Sequence, residues 1–542
     1  MERADRMSAV ERCTTLAIKA LLDERGKARY WDGVSSCPYA TACTLAAMVE
    51  LDERFDPAMR ENAVAYLIAT QRQNGAWSLG VAPGEQLPIT AHCYTALSMY
   101  HAHFEKTGNK VLIEAIRRAR AYLDRAFNFL QTFDVNVQHY LASIVAAHWL
   151  AKIYNIPLLP SALENHISKI LADYEIWIAK SPEACVYRTP AEIVHLACRP
   201  EVSRLCELQT RQLENGSWNL QQIDSTSLAL ITIARQHGSE EVLRRGCNYL
   251  RSSQNADGGF PEFAPAELCN TIYVGFYFSD VCWRAGIALP TWLHNMQSWL
   301  YQSQNPDGSM SISRWSPGDG DIDDTAWAAY WLVKGLNEDL NTPQLHAARA
   351  FLEHAQNDDG GFPTWPGRPS AVDLTAHAYQ GLLALGSDES ILQKAAKYLR
   401  LRQFEDGSWR AMWNVSKIYC TTQVLMALAD NYQSEPFFHS GVNYVLQSQG
   451  TDGLWDTAEE TGMALYVLLL LDSSKYQAAI ERGMEALVDT QHGGYWPEKC
   501  KWKGIFSYTT RPWALTPPIA ACLAYCGKVL NGTNLNRLLD VS

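Results

Sequence analysis

A short pattern recurs eight times along the chain: a Gln, a few residues, then Gly and usually an aromatic side chain. The copies are Gln71-Arg-Gln-Asn-Gly-Ala-Trp77, Gln212-Leu-Glu-Asn-Gly-Ser-Trp218, Gln254-Asn-Ala-Asp-Gly-Gly-Phe260 and Gln304-Asn-Pro-Asp-Gly-Ser-Met310. Four more follow: Gln356-Asn-Asp-Asp-Gly-Gly-Phe362, Gln403-Phe-Glu-Asp-Gly-Ser-Trp409, Gln449-Gly-Thr-Asp-Gly-Leu-Trp455 and the shortened Gln491-His-Gly-Gly-Tyr-Trp496. From Gln212 onward the starts lie 42 to 52 residues apart, room for two helices of ordinary length and two loops. Each copy therefore predicts one helical hairpin.

The Asn/Asp-Gly pair supplies turn chemistry, with Gly free to adopt positive φ. Helical spacing precedes it, as in Ala348-Arg-Ala-Phe-Leu-Glu-His-Ala, and follows it, as in Thr421-Thr-Gln-Val-Leu-Met-Ala-Leu-Ala. No segment alternates like a strand, so the expectation is all-α. Stacked hairpins can form an open solenoid or close into an α/α barrel, and periodicity leaves both open. The repeated residues read as structural: a Gln amide near a helix end can bond free backbone groups while the aromatic packs on the next hairpin.

With 58 acidic and 46 basic side chains, the net charge of −12 argues against a nucleic-acid surface. No apolar run approaches the ~20 residues of a membrane span, and Met1-Glu-Arg-Ala-Asp-Arg lacks the order of a signal peptide. We therefore expect a soluble, cytoplasmic protein of two or three domains. The 14 cysteines lack paired short spacings and read as buried thiols. The 18 Trp and 25 Tyr either fill the core or line a pocket that stabilises positive charge.

After the fourth repeat comes Ser316-Pro-Gly-Asp-Gly-Asp-Ile-Asp-Asp-Thr-Ala-Trp327, which crowds Asp319, Asp321, Asp323 and Asp324 into six positions. Three readings stay open on spacing alone. The carboxylates can cap a helix or sit in a solvated loop. Crowding can also keep one of them protonated at neutral pH, so that it serves as an acid. Hard oxygen ligands also suit Mg²⁺ or Ca²⁺, although the spacing is not that of an EF-hand.

Together, Asp321-Ile-Asp-Asp-Thr-Ala326 and the Gln…Gly-Trp repeats resemble the class II terpene cyclases, the family of squalene-hopene cyclases and diterpene diphosphate cyclases. The segment Asp406-Gly-Ser-Trp-Arg-Ala-Met-Trp-Asn-Val-Ser-Lys-Ile-Tyr-Cys-Thr421 resembles the squalene-hopene branch. The resemblance implies two α/α barrels with a pocket between them: a β domain over residues 1–30 plus 290–542 and an inserted γ domain over 31–289. It implies that Asp323 protonates a terminal alkene or epoxide, with Asp321 and Asp324 tuning it. Tyr419 and Trp413 fall in the matched segment as cation-stabilising candidates, joined by Trp365, Phe506, Tyr508 and Trp513.

Two departures bear on function. The family His that supports the acid after the repeat Gln449–Trp455 is missing, leaving Asp456-Thr-Ala-Glu459-Glu460, and the chain has Cys37-Pro-Tyr-Ala-Thr-Ala-Cys43 where diterpene cyclases carry an Asp. Length favours a diterpene diphosphate cyclase, so Lys499, Lys501, Lys503 and Arg511 are candidates for holding a diphosphate. The expected activity is cyclisation of a linear isoprenoid, foremost geranylgeranyl diphosphate with its diphosphate retained. Protonation needs no cofactor and no metal ligands are assigned; Mg²⁺ would accompany a diphosphate. Alternatives are squalene or a prenylated aromatic acid as substrate and, in another class, a protein-prenyltransferase β-like subunit or a non-catalytic scaffold. The expected partner is the isoprenoid alone, with oligomeric state open.

Overall fold

The repeat Gln residues show why the hairpins form where they do. In seven copies the side-chain Nε2 donates to the carbonyl of the Gly four residues on and to a carbonyl of another helix. Gln403 reaches Gly407 O at 2.9 Å and Phe437 O at 2.8 Å, and Gln304 reaches Gly308 O at 2.8 Å and Gln344 O at 2.9 Å. One amide thus closes its own turn and ties it to the neighbouring helix. The turn Gly has no substitute at Gly407: φ is +85°, and a Cβ there would stand 2.3 Å from Ser440 O. Where the repeat ends in Trp, the indole Nε1 donates to a carbonyl of the preceding helix, as from Trp409 to Leu399 O at 2.7 Å.

This computed structural model describes residues 3–25, 30–78, 85–104, 108–130, 138–160, 202–219, 221–316, 320–471, 474–503, 507–529 and 532–539. They are helical apart from loops and one pair of two-residue strands, β1 (Trp502–Lys503) and β2 (Ser507–Tyr508). The all-α expectation holds. The chain forms two compact units: Met1–Gly33, Ala266–Trp502 and Thr509–Ser542 in the first, and Val34–Pro265 with Lys503–Tyr508 in the second.

The first unit opens with α1 (Arg3–Arg25). The second contains α2 (Pro38–Glu50), α3 (Pro57–Thr70), α4 (Gln86–Phe104), α5 (Lys110–Leu130), α6 (Gln138–Ile153), α7 (Val202–Thr210), α8 (Ile223–Arg235) and α9 (Glu240–Ser252). Among its described residues α8, α2, α4 and α6 pack side by side as an inner arc, with α9, α7, α3 and α5 outside. Gln254 closes one seam of this unit, donating to Met59 O at 2.9 Å.

The chain then returns to the first unit with α10 (Glu267–Ala285), α11 (Thr291–His294), α12 (Gln297–Ser303), α13 (Ile322–Tyr330, continued by a π turn Trp331–Gly335), α14 (Pro343–His354), α15 (Val372–Ala384), α16 (Glu389–Leu401), α17 (Lys417–Tyr432), α18 (Pro436–Gln447), α19 (Ala458–Leu470), α20 (Gln477–Thr490), α21 (Arg511–Val529) and α22 (Gly532–Leu539). Helices α10, α13, α15, α17, α19 and α21 pack each on the next, and α21 on α10, so the ring is closed. Helices α14, α16, α18, α20 and α1 lie outside it. Of the two arrangements the repeats allowed, this unit adopts the barrel.

Inner and outer helices differ as their sequences require. Inner α13 buries every residue except Asp323, whereas outer α16 buries Leu392, Ala395, Ala396, Tyr398 and Leu399, a single stripe at helical spacing. The first unit resumes at Ala266, not at the expected residue 290, because α10 is a member of its inner ring. The far end of that ring is tied by Asp280, fully buried, which accepts from Arg284 Nε at 3.1 Å, Tyr330 Oη at 2.5 Å and Tyr466 Oη. No helix among the described residues is long and apolar enough to cross a membrane.

Candidate active site

A threonine sets the register with which four of the six inner helices enter the ring. Thr325, Thr375, Thr421 and Thr461 accept through Oγ1 from the backbone N–H of Met310, Phe362, Trp409 and Trp455, the last residues of four repeats, at 2.8 to 3.1 Å. Two residues before each Thr stand Asp323, Asp373, Tyr419 and Glu459. These four therefore share one level around the N-terminal end of the ring. One turn further in, the same register places Trp327, His377, Gln423 and Met463.

The acidic segment is held on both sides. Asp321 caps α13, accepting from Asp324 N at 2.9 Å, while its own N–H donates to Met310 O at 2.9 Å. Ile322 N donates to Thr364 O at 3.0 Å, which pins the segment to the following repeat. Asp321 and Asp324 are buried, and Asp323 alone of the three keeps partial exposure. Asp319 lies outside the described residues.

A helix N-terminus favours ionised carboxylates, but here burial outweighs it. Burial pushes Asp323 up to about 6, with the charge of Asp373 adding to the rise. Asp321 is raised well above the ordinary carboxylate range by burial and then by the charges of Asp324 and Asp323, and Asp324 by burial and the charge of Asp323. Such a cluster does not ionise fully at neutral pH. Across the ring, burial and then the charge of Glu460 raise Glu459 to about 8.

The structure brings several predicted aromatics together and separates others. Asp373, itself raised by burial, accepts from Met412 N and Trp413 N at 3.0 to 3.3 Å, which sets Trp413 beside the acid level. The Trp413 indole donates to Thr364 Oγ1 at 2.8 Å and meets Trp365 edge-on at 5.8 Å. Tyr419 feels the charges of Asp373 and Asp323 and meets Trp502 at 4.8 Å. From there rings continue inward: Trp502 to Trp513 at 4.3 Å, Trp513 to Tyr273 at 5.4 Å, and Tyr273 to Tyr277 at 5.0 Å and to Trp327 at 5.5 Å. Tyr508 belongs to the second unit, against Phe263 at 5.0 Å. Phe506 lies outside the described residues.

The basic loop pairs with carboxylates. Lys499 and Lys501 both pair with Asp456, and buried Lys501 also meets Glu460 at 3.4 Å, so their charge is committed to carboxylates. Arg511 pairs with Glu24 at 2.9 Å. The side chain of Lys503 lies outside the described residues. Three acidic side chains within reach (Asp456, Glu459 and Glu460) explain why Lys501 is buried, while Lys499 stays exposed.

Reading by motif overlooked Asp373, His377, Tyr273, Tyr277, Trp327 and Trp502 as site residues. Two had a signal: Asp323-Asp-Thr-Ala-Trp327 recurs in the next hairpin as Asp373-Leu-Thr-Ala-His377. Tyr273 and Tyr277 lie on α10, which follows no such pattern.

The Prenyltransferase alpha-alpha toroid domain family matches residues 11–184 and 195–322, more than half of the chain. The Squalene-hopene cyclase C-terminal domain family matches residues 368–508. Drimenyl diphosphate synthase of Streptantibioticus cattleyicolor is 26% identical over 298 residues, 49% of this chain and 54% of that protein. Squalene-hopene cyclase of Bradyrhizobium diazoefficiens is 26% identical over 225 residues, 33% of this chain and 34% of that protein. The chain thus spans about half or less of the length of these curated relatives. The fold is similar to that of ent-copalyl diphosphate synthase from Streptomyces platensis, with TM-score 0.67 and 19% identity over 95% of this chain and 99% of that one.

Proposed function

The chain belongs to the class II terpene cyclase family, built on the prenyltransferase α/α toroid, and on that premise we propose that it cyclises a linear prenyl diphosphate by protonation. The supporting observation is Asp323: the one partly exposed carboxyl of a crowded, buried set, raised to about 6. An alkene is a very weak base, so its protonation needs a desolvated acid that still holds its proton and an environment that favours the resulting cation. Burial, with the charge of Asp373 added to it, raises Asp323, while Asp321 fixes the turn that presents it. Tyr419, Trp502, Trp513, Tyr273 and Trp327 present π faces to the migrating cation, each contributing roughly 2 kcal/mol when desolvated.

In this reading the first unit is the β barrel that carries the acid and the second the inserted γ barrel. The substrate we favour is geranylgeranyl diphosphate, with the diphosphate leaving intact on a fused-ring product. Drimenyl and ent-copalyl diphosphate synthases among the similar proteins support a diphosphate substrate. The paired state of Lys499 and Lys501 favours a second reading, an uncharged polyprene or a prenylated aromatic acid. Asp323 protonation uses no metal. Mg²⁺ would enter as the counter-ion of a diphosphate; the described residues gather no set of three ligands for it, and no step is routed through it. The reaction as proposed requires neither a membrane nor a protein partner, which suits a cytoplasmic enzyme.

The test is mass spectrometry of products from farnesyl diphosphate, geranylgeranyl diphosphate and squalene, each before and after phosphatase. A cyclic alcohol that appears only after phosphatase supports the diphosphate reading. Turnover of squalene alone would replace it with the uncharged one.

A further inference from the structure

We propose that the first unit holds a second ligand site, at the end of its ring away from Asp323, which takes an uncharged isoprenoid or long-chain alcohol. The site does not depend on the cyclisation.

The first ground is a cavity. A space of about 680 Å³ opens between the last two turns of α10, α19 and α21 and against α22, within the range of sites that hold a small organic molecule. Val281, Leu469, Leu470, Leu523 and Leu535 supply its apolar wall. Ten residues, about 15 Å of helix, separate Leu469 from Glu459 at the level of Asp323, so this space lies apart from the acid.

The second ground is what keeps the space open. Ala285, Ala524 and Gly527 line it where the helices have room for larger side chains: a Cβ on Gly527 would meet only Leu535 Cδ2, at 3.6 Å. An apolar hollow of this size is unfavourable against water and gains from an apolar occupant. Its lip is Trp283, 40% exposed, with Lys334 Nζ 4.3 Å and Arg284 Cζ 5.1 Å from the ring centroid, contacts that hold the indole in place.

The third ground is charge, which selects the ligand. Arg284 lines the cavity, but its Nε donates to Asp280 at 3.1 Å and Nη1 and Nη2 donate to Asp430 at 3.0 and 3.2 Å. Two carboxylates meet that one positive charge, and one N–H remains on each terminal nitrogen. The C-terminal ends of α10, α19 and α21, the negative ends of their dipoles, face the same space. Lys528 is exposed at the mouth, where water and salt screen it. An anionic head is therefore disfavoured, whereas a neutral oxygen can accept from Arg284. Tyr466 gives its hydroxyl to Asp280, which leaves its ring as wall for the hydrocarbon.

The test is photo-crosslinking of the full chain with a diazirine analogue of farnesol, with labelled positions mapped by peptide mass spectrometry and folding followed by thermal melt. Farnesol, tetradecanol and farnesoic acid serve as competitors. We expect label within 281–285, 466–470 or 523–528, displaced by an alcohol at concentrations at least ~tenfold below those of the acid. Displacement by either alcohol supports the site and identifies its chain as branched or straight. Ala524→Trp and Gly527→Leu fill the cavity and should remove this label. No label on these segments, or label unchanged in a folded variant, overturns the site; displacement by the acid as readily as by both alcohols overturns the ligand class. If neither variant folds, the wild-type map and the order of its competitors decide. A chain that turns over no prenyl diphosphate but carries this label loses the cyclase reading and keeps the site.

Discussion

At the scale of residues, the account turns on carboxyls that keep protons. Asp323→Asn removes the proposed proton donor, so turnover should fall by roughly 10³-fold or more with the melting temperature preserved. Because folding raises Asp323 from the usual carboxylate value to about 6, activity should be present below that pH and decline as pH rises through it, read from initial rates between pH 5 and 8. The same sign applies to stability. Carboxyls raised by folding stabilise most at low pH and lose that contribution as they ionise, so Asp324→Asn should melt above wild type at pH 8 and much closer to it at pH 4. Crowding of Asp321, Asp323 and Asp324 was visible in the sequence; their burial was not, since an Asp-rich turn reads equally well as solvated.

At the scale of elements, the unit of construction is the hairpin with its Gln, Gly and Thr. Gln403→Ala deletes two bonds to backbone carbonyls and should cost about 1–2 kcal/mol. Gly407→Ala meets both a positive φ and Ser440 O, and should cost roughly 2–4 kcal/mol, so calorimetry should rank it the more damaging. Helices, turns and spacing could be read from Gln, Asn/Asp-Gly and apolar periodicity because those are local signals. The inner and outer roles were half readable: α16 declares one apolar stripe, but the choice between solenoid and barrel depends on α21 meeting α10, a contact far apart in sequence. The pairing of Lys499 and Lys501 was hidden for the same reason. A basic triplet looks like an anion site until folding brings Asp456 and Glu460 against it.

At the scale of the molecule, both units use one register, and comparison explains why the proposed acid is assigned to the first. In the second unit Asp224 stands two residues before Thr226, whose Oγ1 accepts from Trp218 N at 3.1 Å, as Asp323 stands before Thr325. Burial raises it to about 6 as well, yet it is fully buried and takes the hydroxyl of Tyr39 at 3.2 Å. An equal pKa without access makes a core residue. Ring closure should matter globally: Gln491 donates to Cys13 O of α1 at 2.9 Å, so a chain lacking residues 1–25 should melt lower and aggregate. The most direct measurement of the central claim is turnover of geranylgeranyl diphosphate in D₂O with intact-mass detection. The account predicts a cyclic diphosphate carrying one solvent deuterium at the carbon where Asp323 delivers its proton, and none formed by Asp323→Asn. Release of inorganic diphosphate, or a cyclic product without deuterium, would contradict it.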